Sequence, residues 1–270
     1  MDAVSPRQTD ILRMARQSGR VGVDDLALQF DVTPQTIRKD LNEICDAGLL
    51  QRVHGGAVYP SGAVNYAYDA RRSLAAEEKQ KIGATAAALI PDNSSVILNI
   101  GTTTEQVAFA LLGHEGLMVI TNNINVANIL RESPSTEVII AGGLVRRADG
   151  GIIGEATIDF IRQFKVDYAV IGASAIDEEG AILDYDYREV RVAQEIIRHA
   201  RRTILVADYM KFDRNAPVRI GHLSDIDVLV TDADVPEKIQ KICRLTGITI
   251  ASAHGRPDEK ESNSEGCFNV

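Results

Sequence analysis

The sequence predicts an α/β protein in two parts, a small helical region followed by a larger domain in which strands and helices alternate. Three observations predict it. Residues 5–58 carry helical apolar spacing and end in a segment punctuated by Gly55 and Gly56. From Glu77 to about Ser252, short apolar runs of β type alternate with amphipathic stretches. Between them, Pro60-Ser-Gly to Arg71-Arg72 is polar and broken by Pro and Gly. The expected divisions are a first domain over 1–58, a linker over 59–76, a second domain over 77–252 and a tail over 253–270. The tail is polar and patternless, so disorder is expected there.

Charge and composition narrow the function classes. A net charge of −9 on 270 residues argues against a protein that coats nucleic acid indiscriminately, while leaving room for a small local DNA-reading surface. No apolar run approaches the roughly 18 residues of a membrane span, and the start lacks a basic stretch followed by an apolar one, so neither membrane nor secretion is expected. Cys45, Cys243 and Cys267 lie far apart without C-x-x-C spacing. A disulfide framework or zinc site is therefore not expected, nor any metal or cofactor, and a reducing cytoplasm fits.

In the first region, Ile11, Leu12, Met14 and Ala15 fall on one side of a helix over 7–18 that Gly19 can end. A short helix begins at Asp24 or Asp25, with Leu26, Ala27 and Phe30 apolar, and Asp31-Val32 makes a tight turn. Thr33-Pro34 opens a third helix, a hydroxyl at the N-cap and Pro at the first position. Ile37, Leu41 and Ile44 form its buried stripe, and Gly48 stops it. Its other face presents Gln35, Thr36, Arg38, Lys39 and Asn42: amides and guanidinium toward base edges, cations toward phosphates. Residues 49–57 read as two short strands, a wing carrying Arg52 and His54 toward the DNA backbone. Together these have the spacing of a winged helix-turn-helix, with Thr33 joining the DNA-binding set. Residues 1–58 nevertheless hold seven Lys/Arg against eight Asp/Glu, so positive potential must come from clustering or dimerisation.

In the second region the apolar runs are Val96–Ile100, Met118–Thr121, Val138–Ala141, Ala169–Gly172, Ile204–Ala207 and Val228–Thr231. Bare apolar strands alternating with helices suit an open, Rossmann-like parallel sheet covered on both faces. The helices expected are 77–89, 104–112, 125–130, 155–164, 190–200 and 236–245. Asn99-Ile-Gly101-Thr102-Thr103-Thr104-Glu105 lies between a strand and a helix, where free N–H groups and hydroxyls favour a phosphate or carboxylate. Asn122 and Asn123 end the next strand with amides suited to hydroxyls. Gly142 and Gly143 end the third, and Lys211 follows a later strand as a phosphate partner. Asp177 and Asp184 are candidates for ligand contact. With Asp186, Glu189 and Lys211 they could also supply acid–base chemistry. The histidines at 114, 199, 222 and 254 show no triad-like order, and neither a P-loop nor G-x-G-x-x-G occurs. On residues alone two functions stay open: a ligand-responsive DNA-binding regulator, or a sugar-phosphate isomerase with an accessory DNA-binding domain.

Ser18-Gly-Arg-Val-Gly-Val-Asp-Asp-Leu, Val32-Thr-Pro-Gln-Thr-Ile-Arg-Lys-Asp-Leu and Gly48-Leu-Leu-Gln-Arg-Val-His-Gly-Gly-Ala, in that order, resemble the N-terminal domain of DeoR-family bacterial repressors. Residues 77 to about 250 resemble the family's sensor domain, chiefly through 121–128, 150–161 and 183–191. The resemblance implies a repressor, not an enzyme, that reads operator DNA as a dimer or higher oligomer. It implies a sensor fold related to ribose-5-phosphate isomerase, and release by a small phosphorylated effector. The three sensor stretches favour glycerol 3-phosphate among sugar phosphates, and hence genes of glycerol metabolism. Members of the family commonly carry Asp where this chain has Asn99, so a role resting on a carboxylate there is not expected.

Overall fold

The structure, a computed structural model, describes residues 5–18, 20–53, 55–59, 68–212, 214–232 and 234–253. The first region folds as α1 (Pro6–Ser18), β1 (Arg20–Gly22), α2 (Val23–Gln29), α3 (Pro34–Asp46), β2 (Gln51–Val53) and β3 (Gly56–Val58). The three strands form one antiparallel sheet in the order β1-β3-β2, so the wing has a third strand that the sequence did not announce. Residues 20–22 are too short to show an alternation, and only pairing with Gly56–Val58 makes them a strand. Ile11, Leu26, Ile37, Leu41 and Ile44 fill the core, as their spacing predicts. One buried charge orders the bundle. Asp40 of α3 accepts from Arg7 Nε at 2.7 Å and from Gln8 Nε2 at 3.3 Å, and Gln8 also donates to Glu43 at 2.6 Å, fixing α1 on α3.

Part of the expected linker is a helix. Residues 68–73 form α4 (Tyr68–Ser73), followed by α5 (Ala76–Ala87). A polar stretch reads as a connector when its partners are remote in sequence, and those of α4 lie in the second domain. Its following residue, Leu74, is buried in the same apolar cluster as Ile11 and Ile37, and so is Met210 from the far end of the chain.

The second domain continues with β4 (Ser95–Leu98), α6 (Thr102–Ala110), β5 (Leu117–Thr121), α7 (Ile124–Leu130) and β6 (Thr136–Ile140). Then come β7 (Leu144–Val145), β8 (Ile152–Ile153), α8 (Glu155–Ile161), β9 (Val166–Gly172), β10 (Ala175–Ile176) and β11 (Ala181–Asp184). It ends with α9 (Tyr187–Arg198), β12 (Ala200–Val206), β13 (Val218–His222), β14 (Val228–Thr231), α10 (Glu237–Thr246) and β15 (Thr249–Ser252). Seven strands form one parallel sheet in the order β15-β14-β12-β9-β4-β5-β6. Strand alternation sends Ile97 into the cluster under α8, α9 and α10, and Val96 and Leu98 into the one under α5, α6 and α7.

Six of the seven strands match expected apolar runs. The seventh, β15, is a half-exposed edge strand with too little apolar character to stand out. A small antiparallel sheet, β10-β11-β13, and the hairpin β7–β8 were also not foreseen. Their strands run only two to five residues, and β11 pairs with β13 across a long stretch of chain. The expected tail lies, apart from Ala253, outside the described residues.

The strand order fixes where a ligand can sit. After β4 the chain moves to β5 and β6 on one side, then returns to β9 on the other. The crevice beyond the carboxyl ends of β4 and β9 is therefore a topological switch point, where open α/β sheets bind ligands.

Candidate functional site

Two surfaces carry the chemistry. On α3, Thr33 is the N-cap and its hydroxyl accepts from the Thr36 N–H at 3.2 Å. With Ile37, Leu41 and Ile44 turned inward, Gln35, Arg38, Lys39 and Asn42 are left exposed, and Thr36 half-exposed. These residues, Thr33, Glu43 and Asp46 line one shallow concavity, so the amides, hydroxyls and two cations face the same way. Arg52 is exposed on β2. His54 lies outside the described residues.

The second surface is the switch-point crevice. Gly101 ends the β4 connection with φ +155° and serves as the N-cap of α6 without a side-chain cap. The N–H groups of Thr102, Thr103 and Thr104 therefore point out of the first turn with no helical partner. Thr104 differs from the expectation in one respect. Its hydroxyl donates inward, within 2.8 Å of Asn99 O and 2.7 Å of Gly101 O, so only its main-chain N–H is left for an anion. Lys211 and Asp208 lie two strands away at the end of β12, next to β9. Burial pushes the Lys211 ammonium down to about 7 although Asp208 favours its charged form, and Arg214, Lys79 and Arg71 add to the depression.

Other predicted residues take structural partners. Asn123 caps α7, accepting from Asn125 N at 2.9 Å, and donates to Glu105 at 3.3 Å. Gly142 O accepts from Thr157 Oγ1, and a Cβ on Gly143 would lie 2.3 Å from that same oxygen, so this pair packs the β7–β8 hairpin on α8. Asp177 accepts from Glu179 N and Ala181 N and closes the turn between β10 and β11. Asp184 is buried, held by Ser174 Oγ at 2.9 Å. Asn122 donates to Ile152 O at 3.1 Å, and its own Oδ1 has no partner.

A polar network that sequence spacing did not reveal surrounds the crevice. Tyr68 of α4 donates to Glu105 of α6, the oxygens 2.8 and 3.0 Å away, and accepts from Asn125 Nδ2 at 2.8 Å. Burial and Glu105 together raise the Tyr68 pKa, so it stays a donor. Arg71 donates to Asp149 at 3.1 Å, and its Nε is buried without a partner. Arg146 donates to Asp149 at 2.6 and 2.8 Å, to Asp186 at 3.2 Å and to Glu189 at 2.5 Å. Lys79 closes the other end of α4, donating to Leu74 O at 2.6 Å and to Arg71 O. Arg188 first, then its main-chain N–H and Arg146, hold Asp186 down at about 2. Burial and Asp184 push Glu189 up to about 8 against the pull of Arg146. Asp149 and Asp186 are tied into ion pairs with Arg146, and Glu189 accepts from the same guanidinium. The signal that could have found the network was Glu105 itself, an acid directly after the threonine triplet.

A helix-turn-helix head tied by a short helix to a parallel sheet with a switch-point crevice has the plan of a DNA-binding regulator with a second, sensor-type domain. The family comparison agrees: residues 7–63 match the DeoR-like helix-turn-helix domain, and residues 74–233 match the DeoR C terminal sensor domain. The chain belongs to the DeoR family and is a DNA-binding transcriptional repressor. It is 49% identical over 235 residues to the glycerol-3-phosphate regulon repressor of Haemophilus influenzae, covering 87% of this chain and 91% of that one. It is 45% identical to the repressor of the same name in Escherichia coli, covering 87% and 94%. The transcriptional repressor CsqR of Escherichia coli is 39% identical over 87% of this chain and 90% of its own. These relatives are named repressors, not enzymes.

Among solved structures, ribose 5-phosphate isomerase A from Neisseria gonorrhoeae aligns with TM-score 0.37 and 12% identity over 51% of this chain and 54% of that one. The eIF2B beta subunit from Chaetomium thermophilum aligns with TM-score 0.43 and 15% identity over 57% and 48%. No helix among the described residues is long and apolar enough to cross a membrane.

Proposed function

We propose that this repressor controls genes of glycerol and glycerol 3-phosphate metabolism and leaves its operator when glycerol 3-phosphate fills the switch-point crevice. The names of the relatives at 45–49% identity support the regulon. One observation supports the ligand class: the bare N–H groups at the start of α6 open onto the strand switch, on the same sheet edge as the half-buried Lys211, which lies close enough to Arg71 to feel its charge. A phosphate ester satisfies both.

The same helix explains how occupancy reaches the DNA. Glu105 lies one residue beyond the threonines and holds Tyr68 of α4, and α4 leads into Leu74, which packs in the winged-helix core. A ligand that binds better when α6 shifts draws α4 with it, and differential affinity for the two states is all that release requires. The DNA-reading residues are Thr33, Gln35, Thr36, Arg38, Lys39 and Asn42, with Arg52 and His54 on the wing. Two such heads, in a dimer or higher oligomer, read an operator in the cytoplasm. A gel-shift titration tests the proposal: glycerol 3-phosphate lowers operator affinity, and an operator affinity that never changes with it removes this effector.

A further inference from the structure

The crevice holds two amide oxygens with nothing to accept. Asn99 follows β4 and Asn122 follows β5, and the parallel register that pairs Leu98 with Thr121 sets the two asparagines just past the ends of neighbouring strands. Asn99 N still donates to Val170 O at 3.0 Å, and Asn122, at a bend just past β5, still accepts at its main-chain O from Ile152 N at 2.7 Å. Alternation along β4 puts the Asn99 side chain on the face of Ile97. Asn99 is 2% exposed and Asn122 1%, and the Oδ1 of each is buried without a partner. For Asn122 the amide orientation is fixed. Its Nδ2 donates to Ile152 O at 3.1 Å, and turning it over would set oxygen against oxygen. Buried acceptors are rarely left bare in a native fold, and an orphaned one marks a place for a donor that arrives later.

What arrives must bring donors. From Asn99 to the first N–H of α6 is only three residues, so a ligand whose phosphate rests on that turn carries its next atoms over the two amides. Hydroxyl groups can donate to them, whereas a ketone or carboxylate would meet acceptor with acceptor. A neutral amide at position 99 also adds no negative charge beside a phosphate dianion. Resting on the proposed sugar-phosphate occupancy of the crevice, we infer that Asn99 and Asn122 form a paired acceptor that reads the two free hydroxyls of a three-carbon polyol phosphate. The amide expected for this task beside Asn122, that of Asn123, is occupied by the α7 cap and Glu105.

Calorimetry on the full chain tests this with four probes: glycerol 3-phosphate, dihydroxyacetone phosphate, 3-phosphoglycerate and inorganic phosphate. Glycerol 3-phosphate should bind at least tenfold tighter than the ketone or the carboxylate. Asn99→Ala and Asn122→Ala should each cut that ratio to threefold or less while the affinity for inorganic phosphate moves less than twofold. Equal affinity for the three esters in the unaltered protein overturns the paired acceptor but leaves the phosphate crevice standing, and that arm needs no variant to fold. A ratio untouched by both substitutions overturns it as well. If none of the four probes binds, the crevice reading falls and the acceptor pair falls with it.

Discussion

At the scale of single residues, two side chains give the sharpest tests. Arg38 projects from the exposed face of α3 into the shallow concavity that it lines with its neighbours. Arg38→Ala should cost about 1–3 kcal/mol of operator binding if the guanidinium reads a base. Fluorescence anisotropy on a labelled operator measures it, and an unchanged affinity would mean that another face of α3 meets the groove. Lys211 carries a pH signature. With its pKa near 7 in the ligand-free protein, the side chain is mostly uncharged at pH 8, and a phosphate ester must bring a proton in with it. Effector affinity therefore falls as pH rises from 7 to 9, and calorimetry at pH 8 in buffers of different ionisation enthalpy should find proton uptake that Lys211→Met abolishes. Binding without proton uptake would show that Lys211 is not a phosphate partner. The sign for folding is opposite. A lysine whose folded pKa lies below its unfolded value binds fewer protons when folded, so its contribution to stability grows as pH climbs from 7 toward 10.5.

At the scale of elements, local rules found most helices and strands but not their attachments. Thr33-Pro34 and the Ile37, Leu41, Ile44 stripe made α3 readable to the residue, since a cap and a 3.6-residue period are local properties. The buried Asp40 was not readable, because its partners Arg7 and Gln8 sit 33 and 32 residues away. Asp40→Ala removes the acceptor of the Arg7 guanidinium and one of the two acceptors of the buried Gln8 amide, and should destabilise the winged head by about 1–3 kcal/mol in a urea melt. Loss well below that range would make the contact a surface ornament. The helix α4 escaped notice for the same reason: Arg71 and Asp149 are 78 residues apart. Tyr68→Phe removes only the hydroxyl that joins α4 to Glu105. It should leave the fold intact and shrink the ratio of operator affinities without and with effector, a coupling typically worth about 1–3 kcal/mol. A ratio equal to that of the unaltered protein would take α4 out of the relay.

At the scale of the whole molecule, the two-part plan and the parallel sheet were legible because strands covered on both faces must be apolar throughout, as Val96–Leu98 and Ile204–Val206 are. The uncapped start of α6 was legible too, since Gly-Thr-Thr-Thr after a strand announces a bare helix start. The contact between the two parts was hidden, because Met210 and Leu74 look like ordinary apolar residues until the chain is folded. Met210→Ala should lower stability by about 2–5 kcal/mol, as other buried methionine truncations do. It should also weaken operator binding although it touches no DNA, which anisotropy alongside a thermal melt would separate. Full operator affinity in a well-folded variant would mean that the cluster merely glues the halves. Met210 and Lys211 are consecutive residues, one lodged among the side chains of the reading head and the other among the cations of the crevice. A single peptide plane thus belongs to both machines at once. Under the proposed effector occupancy no long arm has to bend between them, and a displacement the size of one side chain at Lys211 would already be a displacement of the head.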